Sequence, residues 1–370
     1  MTTAQGFLDA LLGHGCELVT GVPCSYFAGL IALLERQERL SYLPAANEGV
    51  ALAIAAGATL GGSRAVVLAQ NSGFGNLVNP LTSLVLPYRI PVLVVMSMRG
   101  WPEASAAEPQ HHWMGKVVHG WLDSLDVPHW MLTADGPDLP ELLARAAGAL
   151  DAGRPVFVLV AKDTIGRATT DEAPLAVRNG APRRDEVVRV VLDEAGDAHV
   201  LSTTGFLSRS LFNLGNRDRD FYMQGSMGHV AGFALGAALR RPDRRFVVLD
   251  GDGAALMHLG TLSTIGHAAP ANLIHIVFDN GAYESTGAQA TGASRTNLVA
   301  VAKACGYRHV DPVDTVAGLR PAWRAALAAE GPAMVVVRGA IGGTAGERAS
   351  GNVPVDRIAA RFAKSVGAAG

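Results

Sequence analysis

Apolar, β-branched runs recur along the chain at Ala65–Ala69, Pro91–Ser97, Pro155–Ala161, His199–Thr203, Arg245–Leu249, Leu273–Phe278 and Ala333–Val337. None alternates with polar residues, so each reads as a strand buried on both faces of a parallel sheet. Between them, apolar positions return at helical spacing over Gly49–Leu60, Leu139–Leu150, Val230–Leu239 and Val316–Ala329. Strand–helix alternation of this kind predicts an α/β protein built from doubly wound parallel sheets. The pattern fails between Thr164 and Asp185, where prolines and charges occur without periodicity. Residues 166–185 therefore read as a linker between two α/β domains, 1–165 and 186–370, with no middle domain.

Composition narrows the class without naming a chemistry. A chain of 370 residues, 49% hydrophobic and 17% charged, can bury two full cores and contains no block expected to be disordered. A net charge of -2 gives no reason to expect nucleic acid or an anionic membrane as partner. The first residues, MTTAQGFLDALLGHG, lack the basic start and apolar core of a signal peptide. No uninterrupted apolar run is long enough to predict a membrane span. Cys16, Cys24 and Cys305 are too few and too scattered for a disulfide framework or a zinc site, so a reduced, cytoplasmic setting is expected.

The candidate chemistry lies past the strand ends. Asp252 follows the run Arg245–Leu249, and Asn280 follows Leu273–Phe278. Parallel strands bring such positions to one edge, where ligands bind. A carboxylate and an amide oxygen there suit Mg²⁺, which keeps other positions for phosphate oxygens; the carbonyl of Ala282 is a third candidate ligand. Gly251 and Gly253 let backbone approach a phosphate closely, and the helix expected from about Ala254 offers N-terminal amides to a diphosphate. No G-x-G-x-x-G turn occurs where a dinucleotide site would need one. In the first half, Glu48 opens an Ala/Gly-rich helix after a strand end, a position where an acid also stabilises the helix dipole.

The sequence GDG at 251–253, with Asn280 at this spacing, resembles the thiamine diphosphate motif. A resemblance to the phosphonopyruvate and sulfopyruvate decarboxylases covers nearly the whole chain. It is carried by GVPCSYF (21–27), NEGVALAIAAG (47–57), QNSGFGNLVNPLTSL (70–84), Arg99–Gly100, EPQHHWMG (108–115) and DNGAYESTGAQ (279–289). The resemblance implies two domains of the thiamine diphosphate-binding fold, a pyrimidine domain before a diphosphate domain, and thiamine diphosphate with Mg²⁺ as cofactors. Glu48 would then hydrogen-bond the pyrimidine ring nitrogen. Gly225, Ser226 and Met227 would meet the aminopyrimidine, Met227 as the apolar wedge, with Tyr283 also at the cofactor.

The implied reaction is decarboxylation of 3-phosphonopyruvate to phosphonoacetaldehyde and CO₂, a step of phosphonate biosynthesis. Asn71, Ser72, Arg99 and His112 are the expected substrate contacts, and His111 is the expected proton donor. Glu284 and Thr286 are expected to line the site, and residues 99–116, with Lys116, to form a lid over it. The resemblance also implies a homo-oligomer, a dimer or higher, with each site shared between subunits. Two segments depart from the family pattern. Residues 338–356 lack the expected basic segment, and Phe206 stands where a cation is expected, although Arg209 is in place. Sulfopyruvate is therefore an open alternative substrate. Carboligation fits less well without a middle domain, and a non-catalytic binding protein of this fold fits poorly with Glu48, Asp252 and Asn280 all present.

Overall fold

The computed structural model describes residues 2–103, 108–166 and 180–367; the tip of the expected lid, 104–107, and most of the expected linker, 167–179, lie outside these residues. The chain divides into two compact units, Met1–Ala173 and Pro174–Gly370. Each is built on a six-stranded, all-parallel sheet.

The first sheet contains β1 (Cys16–Gly21), β2 (Ser41–Pro44), β3 (Arg64–Gln70), β4 (Leu93–Ser97), β5 (His129–Leu132) and β6 (Val156–Val160), in the order β2-β1-β3-β4-β6-β5. The second contains β7 (His199–Ser202), β8 (Phe221–Tyr222), β9 (Phe246–Gly251), β10 (Leu273–Asp279), β13 (His309–Val313) and β14 (Ala333–Arg338), in the order β13-β14-β10-β9-β7-β8. A small antiparallel pair, β11 (Ala282–Tyr283) with β12 (Gln289–Ala290), interrupts the second sheet's connections.

The apolar runs are continuous because both faces of each sheet are covered. Along β3, Val66 and Leu68 enter one core with Phe7, Phe27 and Leu142, whereas Val67 and Ala69 enter the opposite core with Leu52, Phe74 and Phe157. Along β14, Val335 and Val337 pack on one side with Trp323 and Ile358, and Met334 and Val336 on the other with Ile265 and Phe362. This is the two-residue strand period expressed as two cores per sheet. Among the described residues no helix is long and apolar enough to cross a membrane.

Two expected boundaries shift. The helix after GDG begins at Asp252 rather than near Ala254, and runs only to Met257. Arg184 and Asp185, read as linker, instead open the helix Arg184–Glu194, whose first turn is closed by the Arg183 N–H donating to Glu186 Oε2 at 2.7 Å.

Candidate active site

In the first unit the loops after β1, β3 and β4 meet at the carboxyl edge of the sheet, and the turn Asn71–Gly73 is their hub. Glu48 is the first residue of the helix Glu48–Leu60, capped by Asn47, whose side-chain oxygen accepts from the Val50 N–H at 3.0 Å. Its carboxylate is buried and its Oε2 accepts a 2.8 Å hydrogen bond from Asn76 Nδ2. Burial raises the carboxyl's pKa above its ordinary value, and the Asn76 amide opposes part of that rise. Gly73 lies against it: a methyl group there would fall 2.0 Å from Glu48 Oε1. Only glycine leaves the carboxylate room.

Ser72, next in the hub, is exposed and accepts from Gln70 Nε2. Asn71 turns the other way. It is fully buried, its Nδ2 donating to the Arg99 carbonyl at 2.8 Å and its Oδ1 accepting from the Arg99 N–H at 3.2 Å. Each polar end of its amide holds the backbone that carries Arg99, which leaves one N–H and one lone pair of Asn71 outside these two bonds.

The Arg99 guanidinium lies over the Tyr26 ring at 4.8 Å, donates to Gln70 Oε1 at 2.7 Å and donates to Ser25 Oγ. Gln70 Oε1 also accepts from Cys24 Sγ at 3.4 Å. The side chains that accept hydrogen bonds from Arg99, Gln70 and Ser25, and the ring it covers, Tyr26, are all neutral. The adjacent His111 has its pKa lowered to about 4 by burial and by the Arg99 charge, so it is a neutral imidazole at neutral pH. Its Nδ1 is buried with no hydrogen-bond partner among the described residues. His112 opens the helix His112–Ser124, its ring edge-on to Trp113 at 5.1 Å, and Lys116 Nζ stands over the same indole at 5.9 Å. That helix is pressed onto the Arg99 loop at Gly115, where a methyl group would fall 2.2 Å from the Gly100 carbonyl oxygen.

In the second unit the loops after β7, β9, β10 and β14 occupy the corresponding edge. Asp252 opens its short helix, is 2% exposed, and accepts a hydrogen bond from Thr291 Oγ1. Burial pushes its carboxyl up to about 7; the Thr291 hydroxyl opposes this and the Asp279 charge adds to it. Asn280 Oδ1 accepts from the Ala282 N–H at 3.0 Å, while its Nδ2 donates to Glu284 Oε2 at 3.1 Å. Ala282 is buried in the β11–β12 pair. A methyl group on Gly253 would meet the Tyr283 ring at 2.4 Å, so the GDG turn and the Asn280 loop are closely fitted. The segment Gly225–Met227 reaches this region through Gly228, where a methyl would lie 2.8 Å from the Ala254 carbonyl oxygen. Gly225 and Met227 are half-buried, and exposed Ser226 has a φ of 52°, so this turn presents backbone before the helix Val230–Arg240.

Several contributors carry no mark in the sequence: Ser25, Tyr26, Gln70, Asn76, Thr291 and, above all, Arg184. Glu284, expected to line the site, is instead bound on three sides. Arg184 Nη1 donates to Oε2 at 2.8 Å, Asn280 Nδ2 to the same oxygen, and the Gly342 N–H to Oε1 at 3.0 Å. Thr286 is likewise turned inward, its single hydroxyl proton within reach of two acceptors, the Tyr283 carbonyl at 3.1 Å and Gln289 Oε1 at 2.8 Å.

These residues fit a divalent cation and a diphosphate. Burying Asp252 beside Asp279 is unfavourable unless a cation compensates the charge. Asp252 and Asn280 supply oxygens of the kind Mg²⁺ takes, and Gly251 leaves open space: nothing lies within 4 Å of where its methyl would be. The buried hydroxyls of Ser202 and Thr203, at the end of β7 beside β9, have no hydrogen-bond partner among the described residues and can donate to phosphate.

Comparison with known proteins agrees with this geometry. Residues 1–127 match the N-terminal TPP binding domain of thiamine pyrophosphate enzymes, and residues 205–337 match the C-terminal TPP binding domain. A phosphonopyruvate decarboxylase of Streptomyces viridochromogenes is 42% identical over 351 residues, covering 90% of this chain and 88% of that protein. One from Streptomyces hygroscopicus is also 42% identical over 351 residues, covering 90% and 87%. A sulfopyruvate decarboxylase of Methanosarcina acetivorans is 29% identical over 339 residues, covering 86% of each chain.

Proposed function

The chain belongs to the phosphonopyruvate and sulfopyruvate decarboxylase family of thiamine pyrophosphate enzymes, and from that premise we propose that it converts 3-phosphonopyruvate to phosphonoacetaldehyde and CO₂. The single observation that carries the head group is Arg99: a half-buried cation, held by the turn that also packs Glu48, whose side-chain partners among the described residues, Gln70, Ser25 and Tyr26, are neutral. A guanidinium fixed by neutral partners is preorganised for a phosphonate, which it can grip through two parallel N–H bonds. A phosphonate can carry a second negative charge near neutral pH where a sulfonate cannot, so it gains more from this cation.

Thiamine diphosphate, bound with Mg²⁺, supplies the nucleophile and the electron sink for the departing carboxyl group. The chain's own residues do the rest. Glu48 holds a proton at the pyrimidine ring nitrogen, a task suited to a carboxyl whose pKa is raised by burial. Asp252, Asn280 and the Ala282 carbonyl take the cation. Ser72 and His112 line the substrate side with Arg99. His111 is neutral until an anionic head group beside it restores its affinity for a proton, which it then donates to the carbon that lost CO₂. Gly115, tight against Gly100, lets the helix His112–Ser124 close over the loop and exclude water.

Replacing Arg99 by Gln tests the head-group assignment. A charge-assisted pair contributes about 1.5–3 kcal/mol, so KM for phosphonopyruvate is expected to rise roughly 10–100-fold. Slow turnover of pyruvate, which has no head group, is expected to stay unchanged. Equal losses on both substrates would remove Arg99 from that role.

We place the complete site between the first unit of one copy and the second unit of another. An equimolar mixture of Glu48→Gln and Asp252→Ala proteins, each inactive alone, then regains about a quarter of wild-type activity once subunits exchange into mixed dimers. A mixture that stays inactive, with exchange shown by mass spectrometry, would put each site within one copy.

A further inference from the structure

Arg184 is 1% exposed, an unusual position for a cation that the expected reaction does not use. Each nitrogen of its guanidinium donates a hydrogen bond. Nε donates to Ser210 Oγ at 2.8 Å, Nη1 to Glu284 Oε2 at 2.8 Å and Nη2 to the Thr344 carbonyl at 3.1 Å, while the group also faces the Phe206 ring at 5.0 Å. Asp185 closes the circuit, accepting from Ser210 Oγ through Oδ1 and from the Thr344 N–H through Oδ2 at 3.1 Å. One side chain thus ties together the start of the helix Arg184–Glu194, the helix Phe206–Leu214, the loop after β14 and the loop after β10.

The end of this network that matters is Glu284. Its Oε2 accepts from Arg184 and from Asn280 Nδ2, so the amide nitrogen of Asn280 is committed to the carboxylate. The opposite end of the same amide, Oδ1, is directed to the Ala282 N–H and keeps a second lone pair for a cation. Flipping the amide would set its oxygen against the carboxylate and its NH₂ against an N–H donor. Arg184 in turn stops Glu284 from moving, because releasing it would leave a buried guanidinium with its nearest remaining acid, Asp185, at 3.7 Å.

We propose that Arg184 and Glu284 are positioning residues that fix the Asn280 amide, and with it the cation-binding geometry, in the second unit. The inference rests on the reading of Asp252, Asn280 and Ala282 as the Mg²⁺ site. Outer partners of metal ligands are typically worth about 10–100-fold in metal affinity. Mg²⁺ demands near-ideal octahedral geometry, whereas Ca²⁺ tolerates irregular sites, so loss of positioning penalises Mg²⁺ more than Ca²⁺. Mere destabilisation of the fold has no such preference.

The experiment titrates Mg²⁺ and Ca²⁺ into protein saturated with thiamine diphosphate, read by the cofactor's circular dichroism, for wild type, Glu284→Gln and Asp185→Asn. Asp185 shares the Arg184 network without touching Asn280, and so reports on the fold alone. For Glu284→Gln the Mg²⁺ dissociation constant is expected to rise about 10–100-fold and the Ca²⁺ constant by several-fold less. Asp185→Asn is expected to leave both nearly unchanged, whatever its melting temperature. Glu284→Asp, which keeps the charge but pulls it back by a methylene, stands in if the Gln variant does not fold, and the same selective loss is expected. Unchanged Mg²⁺ affinity, or equal losses for both ions or for both sites, would overturn the proposal. Wild-type protein that binds no cation with the cofactor would instead overturn the metal-site reading on which it rests.

Discussion

Changing Glu48 to Gln is expected to lower kcat by about 10²–10⁴-fold, the usual worth of a positioned acid–base group, while leaving the cofactor bound. The separation of the two effects follows from geometry. Glutamine has nearly the same shape, so it fits against Gly73 and its oxygen can still accept from Asn76. It cannot share a proton with a ring nitrogen. Cofactor affinity, measured by circular dichroism titration, is expected to stay within a few-fold of wild type, because the diphosphate and cation contacts lie on other residues. A variant with near-normal turnover would show that another group activates the cofactor.

The second large effect is at Asp252, and it appears in binding rather than in chemistry. Asp252→Ala removes the carboxylate proposed as a cation ligand and strips Thr291 Oγ1 of its acceptor, and the loss of Mg²⁺ affinity is expected to exceed about 100-fold, more than an outer partner gives. The raised pKa adds a pH signature. A cation must displace the proton from Asp252 below about pH 7, so Mg²⁺ affinity in the wild type is expected to weaken about tenfold for each pH unit below that value and to level off above it.

Stability without cation runs the opposite way. A carboxyl whose folded pKa lies above its unfolded one contributes stability that is fully present below about pH 4 and lost as pH rises through about 7. Cation-free Asp252→Asn is therefore expected to melt above wild type at pH 8, with the excess vanishing near pH 4. A constant difference across that range would show that Asp252 is an ordinary, solvated carboxylate.

What could be read from the chain divides along physical lines. Most interior strands were legible because burial on both faces leaves an unbroken apolar run, as in β4 and β6, where every residue is buried; interior β1, where Glu17 is exposed and Leu18 half-buried, was missed. The edge strands were not. In β2 the burial alternates between exposed and half-buried, and β13 carries Pro312, a residue tolerated at a sheet edge and read as a strand breaker in isolation. The places of Asp252, Asn280 and Glu48 in the fold were legible because each sits at a strand end or a helix start, where local sequence fixes position.

Side-chain direction was harder. Asn71 and Ser72 are neighbours on one turn, yet one faces the protein and the other solvent, and nothing local distinguishes them. Arg184 was hidden most thoroughly. It stands beside prolines and charges that read as linker, and its partners come from residues 185, 206, 210, 284 and 344. Only the closed fold brings them together. The same network accounts for one departure from the family pattern: with Phe206 in place of the expected cation, two guanidiniums, those of Arg184 and Arg209, lie about its ring at 5.0 and 5.1 Å.

The most direct test of the whole account is aldehyde formation by the purified protein with thiamine diphosphate and Mg²⁺, comparing phosphonopyruvate, sulfopyruvate and pyruvate at matched concentrations. A site built around Arg99 predicts phosphonoacetaldehyde and CO₂ in equal amounts, with kcat/KM for phosphonopyruvate at least about tenfold above either competitor, a difference of about 1.4 kcal/mol. Sulfopyruvate preferred by a similar factor would contradict the head-group assignment, and no aldehyde from any of the three would contradict the decarboxylase itself.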